Sequence, residues 1–182
     1  MTALPSAAIL HFWFDELTAA QHFAKDAALD AAIAQRFGAT LEAAARGDLS
    51  GWRADAPGRL AEVIVLDQFS RNVWRDTPRA FAQDGMALVL AQELVAGGHD
   101  RALAPAQRAF AYMPFMHSES AAVHAQAVAL FSQPGLENNL AFELKHKAII
   151  DRFGRYPHRN AILGRTSSSE ELAFLREPGS SF

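Results

Sequence analysis

The chain contains no cysteine. That removes disulfide frameworks, cysteine–zinc sites and thiol nucleophiles together. It also lacks a surplus of one charge: 17 Lys and Arg stand against 20 Asp and Glu, a net charge of −3, with no long basic block. Such a chain carries no electrostatic footprint for nucleic acid or for an anionic membrane. No apolar run reaches the length of a membrane span. The opening stretch MTALPSAAILHFWFDE has no basic leader and soon meets Asp15 and Glu16, so it does not read as a secretory signal. The cytoplasm is the expected location. A phosphate loop, a dinucleotide fingerprint, a nucleophile elbow and an HExxH pair are missing too. The residues therefore name no cofactor, no catalytic group and no metal site.

What is present is a helix-forming chain. Half of it is hydrophobic, and its 182 residues fit a single domain, 1–182. A domain of that size buries about 70% of its unfolded surface, enough for a core without staples. Alanine is abundant and alternating strand patterns are scarce, so the pattern predicts helices almost throughout. Expected helices cover AAILHFWF, then QHFAKDAALDAAIAQRFGATLEAAARGD, then GRLAEVIVLDQFSRNVW as one buried helix. PRAFAQDGMALVLAQELVAGG should open with Pro78 in its first turn. APAQRAFAYMPFM, SESAAVHAQAVALF, ENNLAFELKHKAIIDRF, PHRNAIL and SEELAFL follow. Short turns predict antiparallel neighbours. No repeat of fixed period stands out.

Polar residues interrupt this pattern in three places. On a helical wheel Asp67 falls among Val63, Ile64 and Trp74, four residues from Arg71, so the two can face each other. Gln68 and Asn72 form a second such pair. A buried carboxylate needs a partner, and a purely structural Asp67–Arg71 ion pair is the bland alternative to a site. In MHSES, Ser118 suits a helix N-cap and Glu119 its first turn, while His117 has no local explanation. His117 and Glu119 are metal-ligand types, but their spacing matches no metal motif. In HKAIIDRFGRYPHRNAILGR, His146 sits within an apolar face and Gly154 supplies a left-handed stop. His158 and Arg159 then follow Pro157 at the positive end of a new helix, where an anion would reverse an unfavourable placement. That anion could be internal, with Asp67, Glu119 and Asp151 as candidates, or a ligand's phosphate or carboxylate.

The segments LDQFSRNVWRDTPRAFAQD, MPFMHSE and HKAIIDRFGRYPHRNAILGR resemble the signature stretches of a bacterial family of uncharacterised proteins called domain of unknown function 924. The resemblance runs from FWF near the start to EPGSSF at the end. It implies an all-α fold of antiparallel helical hairpins packed as a tetratricopeptide-repeat-like superhelix. It implies no activity, substrate or cofactor. It fills the motif positions Asp67, Arg71, His117, Glu119, His146, Arg155, His158, Arg159 and Asn160, which form the candidate site. Ser70 stands where the family often has proline.

Two functions remain open from the sequence. In one, the three clusters meet in a buried pocket for a small anionic molecule. Arg71, Arg155 and Arg159 hold the anion, a histidine serves as acid or base, and Trp13 and Trp74 wall the pocket. In the other, the chain is a helical adaptor that binds a protein or peptide, and the polar clusters are structural. Convergence on one cavity favours the first; scattering among helix contacts favours the second. A last expectation places the Phe182 ring in an apolar slot, with its carboxylate near an arginine.

Overall fold

The computed structural model describes residues 3–181, and among them every regular element is helical. The all-α class is as expected. Helix α1 (Ser6–His11) runs directly into a π-helical turn at Phe12–Glu16. Helix α2 spans Ala27–Ala45, and its start is fixed by Asp26, whose carboxylate accepts the Ala28 and Leu29 N–H groups. Helix α3 (Ala56–Ile64) is capped in the same way by Asp55 on the Gly58 N–H. A second π-helical turn, Val65–Phe69, joins it to the short α4 (Ser70–Val73). Helices α5 (Asp84–Ala96), α6 (Pro105–Met116), α7 (Ala121–Phe131) and α8 (Glu137–Phe153) follow, and α9 (Ser169–Phe174) comes near the end.

The stretch from Leu60 to Ser70 is buried at every residue, because α3 and the π-helical turn lie in the centre of the molecule. Helix α1 packs on α3, α2 packs on α4 and the π-helical turn, and α3 meets both α5 and α6. From α5 to α8, each helix packs against the next. The core is rich in aromatic rings. Phe12 and Phe69 approach Phe37 at centroid distances of 4.8 and 5.1 Å, and Trp13 meets Phe69 at 5.6 Å and Phe110 at 5.4 Å. Glu62 is fully buried within this centre and is held by a two-bond pair with Arg53, both bonds 2.7 Å long.

Several boundaries differ from the sequence reading. GRLAEVIVLDQFSRNVW is interrupted by its π-helical turn rather than continuous. Pro78 begins a separate 3-10 turn, Pro78–Phe81, and α5 starts later at Asp84. Ser118 does not cap α7; that helix begins after Ser120, with Glu119 outside it. The expected helix PHRNAIL is only a 3-10 turn, Pro157–Arg159. Gly154 does end α8 in the left-handed region, at φ 68°. Ser168 and Glu171 form the reciprocal cap of α9. The expectation for Phe182 lies outside the described residues.

Gly58 marks the closest approach in the central layer. A Cβ there would sit 1.9 Å from the Trp52 carbonyl oxygen, a backbone atom that cannot swing aside. Gly58→Ala should therefore cost about 1–3 kcal/mol by forcing α3 off the Ser50–Ala54 turn. Urea unfolding measures it. An unchanged midpoint would show that the contact relaxes freely.

Candidate functional site

The site is built on the π-helical turn. Such turns insert an extra residue and are frequent where side chains must be re-aimed. Here the turn carries Asp67, whose side chain is only 1% exposed. Its carboxylate accepts from Gln68 Nε2, lies 2.9 Å from Arg71 Nη1 and is 2.8 Å from His117 Nδ1. Arg71 also donates to both oxygens of Asp84 at the start of α5, at 2.9 and 3.0 Å. Arg159 reaches the same Asp84 carboxylate at 3.1 Å and donates to the His117 carbonyl at 3.0 Å. Its guanidinium lies 4.6 Å from the ring centroids of both Phe81 and Tyr156. Six residues from four parts of the chain thus form one bonded unit.

A second unit adjoins the first. Glu119 accepts the Tyr156 N–H at 2.7 Å and is held by two bonds from Arg165, at 2.6 and 2.9 Å. Arg165 also donates to Asn160 Oδ1 at 2.9 Å, so the buried Asn160 fixes the arginine that fixes Glu119. The Tyr156 hydroxyl donates to the Met116 carbonyl and lies 3.2 Å from His124 Nε2. His124 is completely buried, with Nδ1 2.7 Å from the equally buried Glu143 and Nε2 2.9 Å from the Ser118 carbonyl. A carbonyl only accepts, so Nε2 carries a hydrogen. Burial raises the Glu143 carboxyl against the pull of His124.

These units border an open cleft of about 320 Å3. Its polar side is formed by Asp84, His117, Ser118, Glu119 and Arg159, and its apolar side includes Phe81, Leu88, Pro114 and Leu163. Of the residues expected at a site, His117, Glu119 and Arg159 line the cleft, with Asp67 and Arg71 one contact away. The His146 ring lies 6.5 Å from that of His117, and its Nδ1 is bonded to the Phe142 carbonyl at 2.9 Å. The His158 ring lies 5.5 Å from that of Tyr156, tilted by 37°. Neither ring lines the cleft.

Other expectations are corrected. Arg155 is held by Glu171, at 2.7 and 2.8 Å, and by the Thr166 carbonyl, so it does not join Arg71 and Arg159. Asn72 and Arg75 bind Asp30 of α2 rather than Gln68. The wheel that paired Gln68 with Asn72 assumed an unbroken α-helix, and the π-helical turn shifts its phase. Trp13 lies in the aromatic core and Trp74 under the Arg79 guanidinium; neither walls the cleft. Asp151 pairs with Lys147. The helix-dipole argument for His158 and Arg159 also lapses, because a three-residue turn has no macrodipole to speak of. The residues missed altogether are Asp84, His124, Glu143, Tyr156 and Arg165. Asp84 had a signal, since it closes the segment LDQFSRNVWRDTPRAFAQD. His124 and Glu143 had none, being single polar residues in long helices. Among the described residues, no group of His, Asp and Glu is placed to hold a metal ion.

Protonation follows from burial. The Asp67 carboxyl is held well below its ordinary range despite its burial, by Arg71, His117 and Gln68. Burial, reinforced by Arg71, lowers His117 below 6.5 against the opposing pull of Asp67. The neutral ring then donates from Nδ1 to Asp67, which makes Nε2 the basic nitrogen. Burial pushes His146 down to about 3, and burial with Arg159 pushes His158 down to about 4.

Residues 9–179 match the family described as "Bacterial protein of unknown function (DUF924)". A solved structure from Agrobacterium tumefaciens, that of the protein of unknown function ATU0120, shares 40% identity with this chain. The match covers 94% of this chain and 96% of that one, with a TM-score of 0.89. No curated protein matches. No helix among the described residues is long and apolar enough to cross a membrane.

Two stability measurements test this geometry. Asp67→Ala leaves Arg71 and His117 without their shared acceptor and should cost about 3–5 kcal/mol in urea unfolding; a loss below about 1 kcal/mol would mean the pair behaves as a surface pair. The second is a pH dependence. His146 and His158 are neutral when folded but take up protons in the unfolded chain below about pH 6.5. The unfolded state therefore binds more protons across that window. The histidine contribution is complete above pH ~6.5 and is lost as pH falls, down to about 4 for His158 and about 3 for His146. At ~1.4 kcal/mol per pKa unit the combined effect is on the order of several kcal/mol. Urea midpoints at neutral and mildly acid pH should differ accordingly, and replacing both histidines by glutamine should flatten the slope.

Proposed function

Because the chain belongs to the bacterial DUF924 family, whose description assigns no activity, we propose a function from the cleft itself: it binds a small, partly apolar molecule. One observation carries this reading. Polar groups from α5, the segment after α6, and the Pro157–Arg159 turn converge on one cleft instead of dispersing among separate helix contacts. The cleft volume of about 320 Å3 lies at the small end of ligand sites, which span roughly 300–1,000 Å3. An adaptor surface for a peptide would need no such convergence.

Charge defines the ligand. Arg71, Arg159 and Arg165 are matched by Asp67, Asp84 and Glu119, three cations against three anions. A preformed anion would find no surplus positive charge, which favours a neutral ligand over the anionic one that the sequence suggested. His117 and Ser118 line the cleft, and among the described residues His117 Nε2 and Ser118 Oγ form no protein hydrogen bond, which leaves them for the ligand in this reading. Such a ligand would place its apolar body against Phe81, Leu88 and Leu163 and offer a hydrogen-bond donor to His117.

Gly85 supplies the test. It lines the cleft, and a Cβ there would meet no heavy atom within 4 Å. Gly85→Leu should fill the cleft while leaving the helical fold intact. In a fragment screen followed by NMR, small aromatic compounds should shift the signals of Phe81, Ser118 and Leu163 in the wild type. The shifts should vanish in Gly85→Leu. A screen in which no compound moves these signals, or in which Gly85→Leu binds as well as the wild type, would remove the proposal.

A further inference from the structure

We infer that His117 is a general base that accepts a proton from the bound molecule, and that the ligand is a weak acid with a phenol- or enol-like O–H. This inference rests on the cleft being a binding site. The His117 ring has a definite orientation, because its Nδ1 is 2.8 Å from Asp67 and its carbonyl is held by Arg159. Asp67 is itself immobile, fixed by Gln68 and by Arg71. With Nδ1–H directed to a buried carboxylate, the lone pair sits on Nε2, the nitrogen that forms no hydrogen bond among the described residues. Buried His124 contrasts with this, since both of its nitrogens are engaged.

The proton balance is simple. The ligand O–H bond breaks and an N–H bond forms at Nε2. The electron pair remains on the ligand oxygen, and no oxidant or co-reactant is required. The imidazolium keeps its Nδ1–H on Asp67, whose negative charge favours the protonated ring. The new oxyanion lies in a cleft lined by Arg159. This reconciles the charge count with an arginine-lined site: the ligand enters neutral and becomes an anion only as His117 becomes a cation. The pair forms without net charge transfer from water. A ligand already ionised would meet Asp84 and Glu119 as well as Arg159.

The charged and titratable groups facing His117 from the elements packed around it are Asp67 and Arg71, Asp84, Arg159, His146 and His158. Burial and then Arg71 oppose protonation of the ring, and Asp67 and Asp84 favour it. A bound oxyanion would add to the favourable side, so proton transfer depends on ligand occupancy and not on the ring alone.

The probe is p-nitrophenol, whose phenolate absorbs visibly apart from its phenol. Full-length protein is titrated with it at a pH where the free compound is mostly protonated, with NMR of the cleft residues in parallel. The expected result is binding in the cleft with the bound phenolate fraction raised at least ~10-fold in its ratio to phenol, one unit of effective pKa. His117→Gln should still bind but hold the compound as the phenol. Asp67→Asn should lower the phenolate ratio by about tenfold, because an uncharged partner stabilises the imidazolium less. Gly85→Leu should bind at least ~10-fold more weakly. Binding in the cleft with the spectrum of the phenol would overturn the base assignment and leave the binding reading in place. An equal phenolate ratio in His117→Gln would overturn it as well. Failure of p-nitrophenol to bind, while other fragments shift Phe81 and Leu163, would overturn the ligand class alone. Failure of every compound would remove both readings.

Discussion

The Asp84 carboxylate joins parts of the chain that lie far apart in sequence. It accepts from Arg71 on α4 and from Arg159 on the Pro157–Arg159 turn, and it stands at the first residue of α5. An acid at a helix N-terminus is favourable in its own right. The placement therefore serves α5 and the cluster at once. Two buried guanidiniums beside each other would be costly without an anion between them, since an unpaired buried charge carries a penalty of several kcal/mol. Asp84 supplies that anion, and the C-terminal segment is thereby tied to the centre of the fold.

Asp67 extends the same logic inward. It occupies the middle of a stretch buried at every residue, where an unpartnered carboxylate would not stay ionised. The π-helical turn lets its oxygens meet Gln68, Arg71 and His117 together. The surrounding histidines respond to the same low dielectric in the opposite sense. His146 and His158 lose their charge to burial, while Asp67 keeps its charge because cations and donors face it. The interior is thus polar without being generally charged. Only groups with a specific counter-charge remain ionised.

Much of the fold was legible because helices announce themselves through period and punctuation. The run ENNLAFELKHKAIIDRF became α8 with the same limits, and Gly154 and Ser168 closed and opened their helices as their chemistry suggests. The breaks were harder. A π-helical turn has no compositional mark, so VLDQF looked like more helix and the direction of Asn72 was lost with it. The short turn at Pro157 looked like a helix start because proline suits both. At the site, residues that broke an apolar pattern could be found: Asp67, Arg71, His117 and Arg159 do meet. Their partners were invisible wherever a polar residue fitted its local helix, as Asp84 does at the head of α5. Arg155 shows the reverse error, a cation near the others in sequence whose partner, Glu171, lies in the next helix.

The arrangement of charge also limits what the cleft can do. Every ionised side chain at its edge already has a partner within the protein, so the cleft does not act as a standing electrostatic trap. Under the function proposed above, its reactivity would reside in the His117 ring, which a buried carboxylate holds at one nitrogen and which forms no hydrogen bond at the other among the described residues. Asp67, Arg71 and Gln68 fix that ring by contacts lying away from the cleft, so a ligand does not have to order it on arrival. Preorganisation of this kind lowers the cost of binding and of any change in charge that follows. The same contacts explain why the polar cluster and the stability of the central helices are inseparable. The residues that orient His117 are also those that keep α4, α5 and the Pro157–Arg159 turn in register. A substitution that frees the ring therefore loosens the packing around it, so a variant at Asp67 tests the proposed function only together with the fold.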